Sequence, residues 1–134
     1  MIAAQDLRIG NKIGFYKSGI NELQIGTIAE IALQENSSEY HFTIPEFSPS
    51  ISITGAGLNP ITLTPEIFLK CGFVVDKVDG DSVKFECYTL SPFTYSATFG
   101  WYSYGRKMEN QPKYLHQLQN LYFALTGHEL EINL

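Results

Sequence analysis

The chain has 134 residues, of which 44% are apolar and 17% charged, and its net charge is −5. That length suits one domain, or two small subdomains on a shared core, and buries about two-thirds of the unfolded surface, so neither a metal nor a disulfide is required for stability. The acidic balance argues against nonspecific binding to duplex DNA, which needs a basic footprint, and leaves only a local basic patch open. Aromatic residues make up 13% of the chain, which favours a β-rich domain with large side chains in a core or at an interface.

The N-terminus, Met1 to Lys12, has no apolar run of signal-peptide length, and no later stretch approaches the roughly 20 apolar residues of a membrane span. These features point to a cytoplasmic protein. The first third reads as strand. Ile9 to Phe15 alternates and runs into a turn at Ser18-Gly19, and Ile25 to Ile31 is a second strand with less regular apolar spacing. Tyr40, Phe42 and Ile44 share one face of a third. Short strands with glycine turns suit a small SH3-like barrel or a curled meander. Residues 45–60 are rich in Pro, Ser and Gly and hold one short strand, Ile51 to Ile53. The boundary falls here, giving a β-rich N-terminal subdomain over 1–58 and an α+β C-terminal subdomain over 59–134.

Thr64-Pro65-Glu66 is a helix start: a capping hydroxyl, a proline at the first helical position and an acid near the positive helix end. Gly72 ends that helix, with Ile67, Phe68 and Cys71 on its buried face. Asp79-Gly80 joins two strands, Phe73 to Val78 and Ser82 to Leu90. Alternation then predicts one strand from Phe93 to about Tyr104, a polar loop over Gly105 to Gln111, and a last short strand from Leu130 to Leu134. Between them, Leu118, Leu121, Tyr122 and Leu125 recur with helical spacing. Pro112 precedes this helix and Gly127 stands where a left-handed cap belongs, so the helix is expected from about Lys113 to Thr126. The fold class is α+β, with antiparallel sheet.

Tyr114 to Leu130, YLHQLQNLYFALTGHEL, resembles the C-terminal signature of a family of small uncharacterised proteins encoded by Bacteroides-type bacteria and their phages and prophages. Leu7 to Asn11 and Ile61 to Phe73 also resemble segments of that family. No activity comes with the resemblance. It implies a phage or mobile-element setting and assigns no catalytic residue.

Two constellations carry possible chemistry. His116, Gln119 and Asn120 lie on one side of the C-terminal helix, beside Gln117. A helical face of amides and imidazole without charge is unusual for a surface, and suggests contact with protein, within the chain or beyond it. The segment from Trp101 to Lys113 interleaves Trp101, Tyr102 and Tyr104 with Arg106, Lys107 and Lys113. Aromatics among cations stack single-stranded nucleic acid, and the plain alternative is a core strand followed by a solvated loop. His41, His116 and His128 lack metal-ligand spacing, and Cys71 and Cys87 lie in apolar contexts as buried thiols, without a nucleophile motif. No phosphate loop, nucleophile elbow or dinucleotide fingerprint is present. The sequence therefore points to a non-enzymatic accessory or interaction protein with a protein partner or self-association, no cofactor and no membrane. The alternative is a single-stranded nucleic-acid module.

Overall fold

The computed structural model describes residues 2, 6–17, 19–33, 40–45, 51–54, 57–79, 82–86, 93–96, 100–103, 106–107 and 111–134, with backbone alone for 51–53 and for the strands between 74 and 107. The fold is α+β, built of antiparallel sheets and two helices. Two compact units divide it. One comprises 1–62 with 114–120, the other 63–113 with 121–134.

In the first unit the strands are β1 (Lys12–Tyr16), β2 (Leu23–Thr27), β3 (Glu30–Leu33), β4 (Tyr40–Ile44), β5 (Ile51–Thr54) and β6 (Leu58–Asn59). They form two three-stranded sheets, in the orders β2-β1-β6 and β3-β4-β5, and no closed barrel among the described residues. Ile13 and Phe15 of β1, Phe42 and Ile44 of β4, and Ile28, Leu7 and Leu58 pack into one core. Tyr40 shares the face of Phe42 and Ile44 by alternation, as expected, but at the strand's start it is exposed.

The strand expected over Ile25 to Ile31 is two strands, and the cause is a corner. Ile28 N–H donates to the Asn11 carbonyl at 3.0 Å, while the next amide, Ala29 N–H, donates to Thr43 at 2.9 Å. Successive amides thus serve different sheets, and Ile28, fully buried, fills the bend between them. Gly10 forms the other side of the corner. Its φ is 95°, its N–H donates to the Ile28 carbonyl at 2.8 Å, and Asn11 N–H closes a turn on the Arg8 carbonyl at 3.1 Å. This is a tight turn leading into a bulge of the G1 type, in which Gly10 and Asn11 together oppose Ile28, and the left-handed φ explains the glycine.

In the second unit α1 (Pro65–Lys70) begins as its sequence dictates. Thr64 caps it, the hydroxyl oxygen accepting from Ile67 N–H at 3.3 Å. It ends in a Schellman motif. Phe73 N–H donates to the Phe68 carbonyl at 3.0 Å and Gly72 N–H to Leu69 at 3.1 Å, with Gly72 at φ 81°. The apolar contact that accompanies this cap is a T-shaped pair of Phe68 and Phe73, centroids 5.2 Å apart. Cys71 carries a buried thiol. Cys87 lies outside the described residues.

The chain then makes a meander of β7 (Val74–Asp79), β8 (Ser82–Glu86), β9 (Phe93–Ser96), β10 (Gly100–Ser103) and β11 (Arg106–Lys107), each pairing with the next. The hairpin predicted around Asp79-Gly80 forms, with Asp79 opposite Ser82. The single strand expected from Phe93 to Tyr104 is instead a hairpin, since Gly100 pairs back onto Ser96 and Trp101 onto Tyr95. Strict alternation hid the reversal, because Ser96 and Gly100, directly opposite and an even number of residues apart, share one face and keep the period of two in phase. Within the expected polar loop, Arg106 and Lys107 pair with β10. Leu130 to Leu134 forms no strand. One backbone bond, from Asn133 N–H to the Lys70 carbonyl at 2.9 Å, ties it to α1.

The last helix, α2 (Leu115–Thr126), starts two residues later than expected. Leu115 N–H donates to Ile61 at 2.8 Å and Leu63 N–H to Lys113 at 3.1 Å, so 113–114 is held extended by this pairing. Gln117 reaches back to accept from Tyr114 N–H at 3.2 Å, which satisfies one orphan donor of the helix start. Leu115, Leu118 and Tyr122 are buried, but Leu125, expected in the same stripe, is 50% exposed. It lies in the final turn, beside the cap in which Gly127 N–H donates to Phe123 at 2.8 Å. Replacing the fully buried Leu118 by alanine is expected to destabilise the protein by roughly 2–5 kcal/mol, read as a lower midpoint in urea unfolding. A wild-type midpoint would mean that this face of α2 is not core.

Candidate functional site

The amide face of α2 is turned inward, onto the turn and bulge at the start of β1. Gln119 is 2% exposed. Its Oε1 accepts from Lys12 N–H at 2.7 Å, and its Nε2 donates to the Gly10 carbonyl at 3.0 Å. Lys12 and Gly10 offer these groups on the side of β1 away from β2, beyond the point where β6 pairs with Gly14 and Phe15. One carboxamide, donor and acceptor in a plane, thus replaces a peptide group of the missing strand.

Asn120 completes the clamp. Its Oδ1 accepts from Asn11 Nδ2 at 2.9 Å and from Arg8 Nε at 3.1 Å, and its Nδ2 donates to the Asp6 carbonyl at 2.9 Å. Asn11 is fully buried, and its Oδ1 accepts from Arg8 N–H at 2.8 Å. A buried amide of this kind is tolerated because its polar atoms are paired. These contacts join Leu7–Asn11 to the helix more than a hundred residues away in sequence. Sequence reasoning identified Gln119 and Asn120 but missed Asn11, whose only signal is an amide directly after a turn glycine.

His116, 2% exposed, lies one turn before Asn120. Its ring is parallel to that of Tyr114 within 6°, centroids 5.9 Å apart, and its Nδ1 is buried without a hydrogen-bond partner. Burial holds the imidazole below its ordinary value of 6.5, and the Asp6 carboxylate partly offsets this. Among the described residues no three His, Cys, Asp or Glu side chains gather as a metal site.

The second predicted constellation is placed only by backbone. Trp101 and Tyr102 are in β10, and Arg106 and Lys107 in β11, with Tyr102 directly opposite Lys107 and Ser103 opposite Arg106. Tyr104 lies outside the described residues, as do the side chains of the other four.

A feature that sequence reasoning did not single out is the outer face of the β1–β2 hairpin. Register sets Tyr16 opposite Leu23 and Gly14 opposite Ile25. With Phe15 and Ile13 turned to the core, alternation turns Tyr16, Leu23 and Ile25 outward, where they are 60%, 41% and 38% exposed. The signal was available, since Leu23 and Ile25 are two apart in a stretch without charge.

Comparison with family models, with curated proteins and with solved structures returned no match. Among the described residues no helix is long and apolar enough to cross a membrane.

Replacing Gln119 by leucine is expected to lower stability by roughly 1–3 kcal/mol for each of the two backbone groups it strands, at Lys12 and Gly10, measured by urea unfolding. A neutral result would show that water reaches both groups. His116 gives a pH signature. The unfolded chain takes up this proton near 6.5, whereas the folded chain resists it to lower pH. Its contribution is therefore intact above about pH 6.5 and lost as pH falls through the window below that value. Stability compared between about pH 7.5 and about pH 5 should fall less in His116→Leu than in wild type. Equal losses would remove His116 as the cause.

Proposed function

We propose that this chain is a non-enzymatic accessory protein of a phage or mobile element that acts by binding protein, with the outer face of the β1–β2 hairpin as its contact surface. The observation that carries this reading is the adjacency of Tyr16, Leu23 and Ile25 on one exposed sheet face. Gly14 supports it. A Cβ there would stand 3.0 Å from Leu23 Cδ1, so the glycine lets Leu23 lie flat across β1 and widen the apolar surface. Apolar side chains grouped on one exposed sheet face are a common mark of an interaction site. The polar residues that suggested chemistry, Gln119 and Asn120, are engaged in holding the first unit together. Two short sheets on one core also suit the small SH3-like layout expected for the N-terminal part. The resemblance of the Leu7–Asn11 and Tyr114–Leu130 segments supplies the mobile-element setting, in the cytoplasm.

A second reading is favoured by one observation. The register of β10 and β11 sets an aromatic, Tyr102, opposite a cation, Lys107. That pairing suits base stacking beside a phosphate on single-stranded nucleic acid.

A photo-cross-linking residue at Tyr16 is expected to capture a protein in cells that carry the parent element, and Leu23→Ser in the same chain to abolish the capture with the thermal melt unchanged. Capture that survives Leu23→Ser, or none at all, would end the hairpin reading. For the second reading, a single-stranded oligonucleotide titration should show binding in low salt that weakens on Tyr102→Ser by about 1–3 kcal/mol per stacked base.

A further inference from the structure

The clamp between α2 and the start of β1 is made of carboxamides and backbone groups, which do not titrate. His116 stands among them and does. It lies three residues before Gln119 and four before Asn120, on the same side of α2. It is buried, and its Nδ1 has no hydrogen-bond partner.

Two features of the site oppose a positive charge there. Burial takes water from a ring whose buried nitrogen has no protein partner to replace it. His116 is also the second residue of α2, at the end where the helix dipole is positive. Among the described residues, the titratable and charged side chains on the segments bonded to this end of α2 are Asp6, Arg8, Lys12, Lys113 and Tyr114. Asp6 favours the cation, and so does the Tyr114 ring stacked at 5.9 Å. Arg8 adds like charge, since its Nε donates to Asn120 Oδ1 at 3.1 Å. The Lys12 ammonium donates to Thr27 Oγ1 at 2.6 Å, and Lys113 adds a further positive charge before the helix. Burial outweighs the Asp6 carboxylate, so the docked ring refuses a proton that a solvated ring accepts.

We propose that protonation of His116 releases Asp6–Lys12 from α2, so that the clamp opens in acid while the rest of the fold stays formed. The bistable element is the docking of that segment, held by the bonds of Gln119 and Asn120. The proton comes from solvent and binds the open form, which shifts the population toward it. Opening is therefore favoured by up to about tenfold per pH unit, from about pH 6.5 down to the lower value of the docked ring. The Ala29–Thr43 bond and the α1 cap involve no atom of α2, so they survive a local opening. This device is independent of the contact proposed for the hairpin face.

Amide hydrogen exchange of the full chain, expressed as protection factors between about pH 7.5 and about pH 5, reads the opening directly. The Lys12 amide, bonded to Gln119 Oε1, should lose protection by up to about tenfold per pH unit below about 6.5. The amides of Ala29 in the first unit and Phe73 in the second should keep theirs. In His116→Gln, which is neutral at every pH of the series, Lys12 protection should not depend on pH. His41 and His128 are present in both proteins, so the difference isolates His116. In wild type alone, the ring signals of His116 should titrate over the same pH range in which Lys12 loses protection, which keeps the test open if the glutamine variant does not fold. Lys12 protection that stays level in wild type, or falls equally in His116→Gln, overturns the proposal. A parallel loss at Lys12, Ala29 and Phe73 overturns it too, since that is unfolding of the whole chain.

Discussion

The first unit depends on two adjacent carboxamides. Gln119 and Asn120 hold the turn and bulge that open β1, and between them they satisfy backbone groups of Asp6, Gly10 and Lys12 and the side chains of Arg8 and Asn11. Each such bond contributes on the order of 0.5–1.5 kcal/mol net, whereas an unpaired buried group costs more than its bond returns. The arrangement is therefore sensitive to loss of a partner and specific in register. Shifting α2 by one residue would put Leu118 in the place of Gln119 or Leu121 in the place of Asn120, and one of the two amides would be lost.

That constraint propagates through the corner. Gly10 and Asn11 oppose Ile28, Ile28 and Ala29 bond to different sheets, and the core of Ile13, Phe15, Phe42 and Ile44 closes between those sheets. The bulge also sets the hydrogen-bonding phase of the β1–β2 pair, since Ile28 N–H bonds to the Asn11 carbonyl.

His116 is the exception among the polar residues of α2. Gln119 and Asn120 are paired, but the His116 ring is buried with Nδ1 unpartnered and rests against Tyr114. An imidazole tolerates this only in its neutral form, because a buried unpaired charge is far more costly than a buried unpaired lone pair. Its effect is confined to acid pH, where the unfolded chain gains a proton that the folded chain refuses.

Local chemistry alone determined several elements. Thr64-Pro65-Glu66 and Gly72 delimit α1, the strands on either side of Asp79-Gly80 pair as a hairpin, and the spacing of Leu118 and Tyr122 makes the buried face of α2. Each is written within a few residues, in a cap, a turn or a period. The sequence also marked the uncharged face of Gln119 and Asn120 as unsuited to solvent. The tertiary structure decided what meets it, since a carboxamide serves a partner helix, a base edge or a backbone equally well, and only the fold brings Leu7–Lys12 alongside. It decided too that Phe93 to Tyr104 reverses, because alternation carries no sign of direction, and that Leu130 to Leu134 finds no sheet. The exposed side chains of Leu23 and Ile25 belong to the same class. Whether an apolar strand is covered depends on what lies beside it, and that is a property of topology.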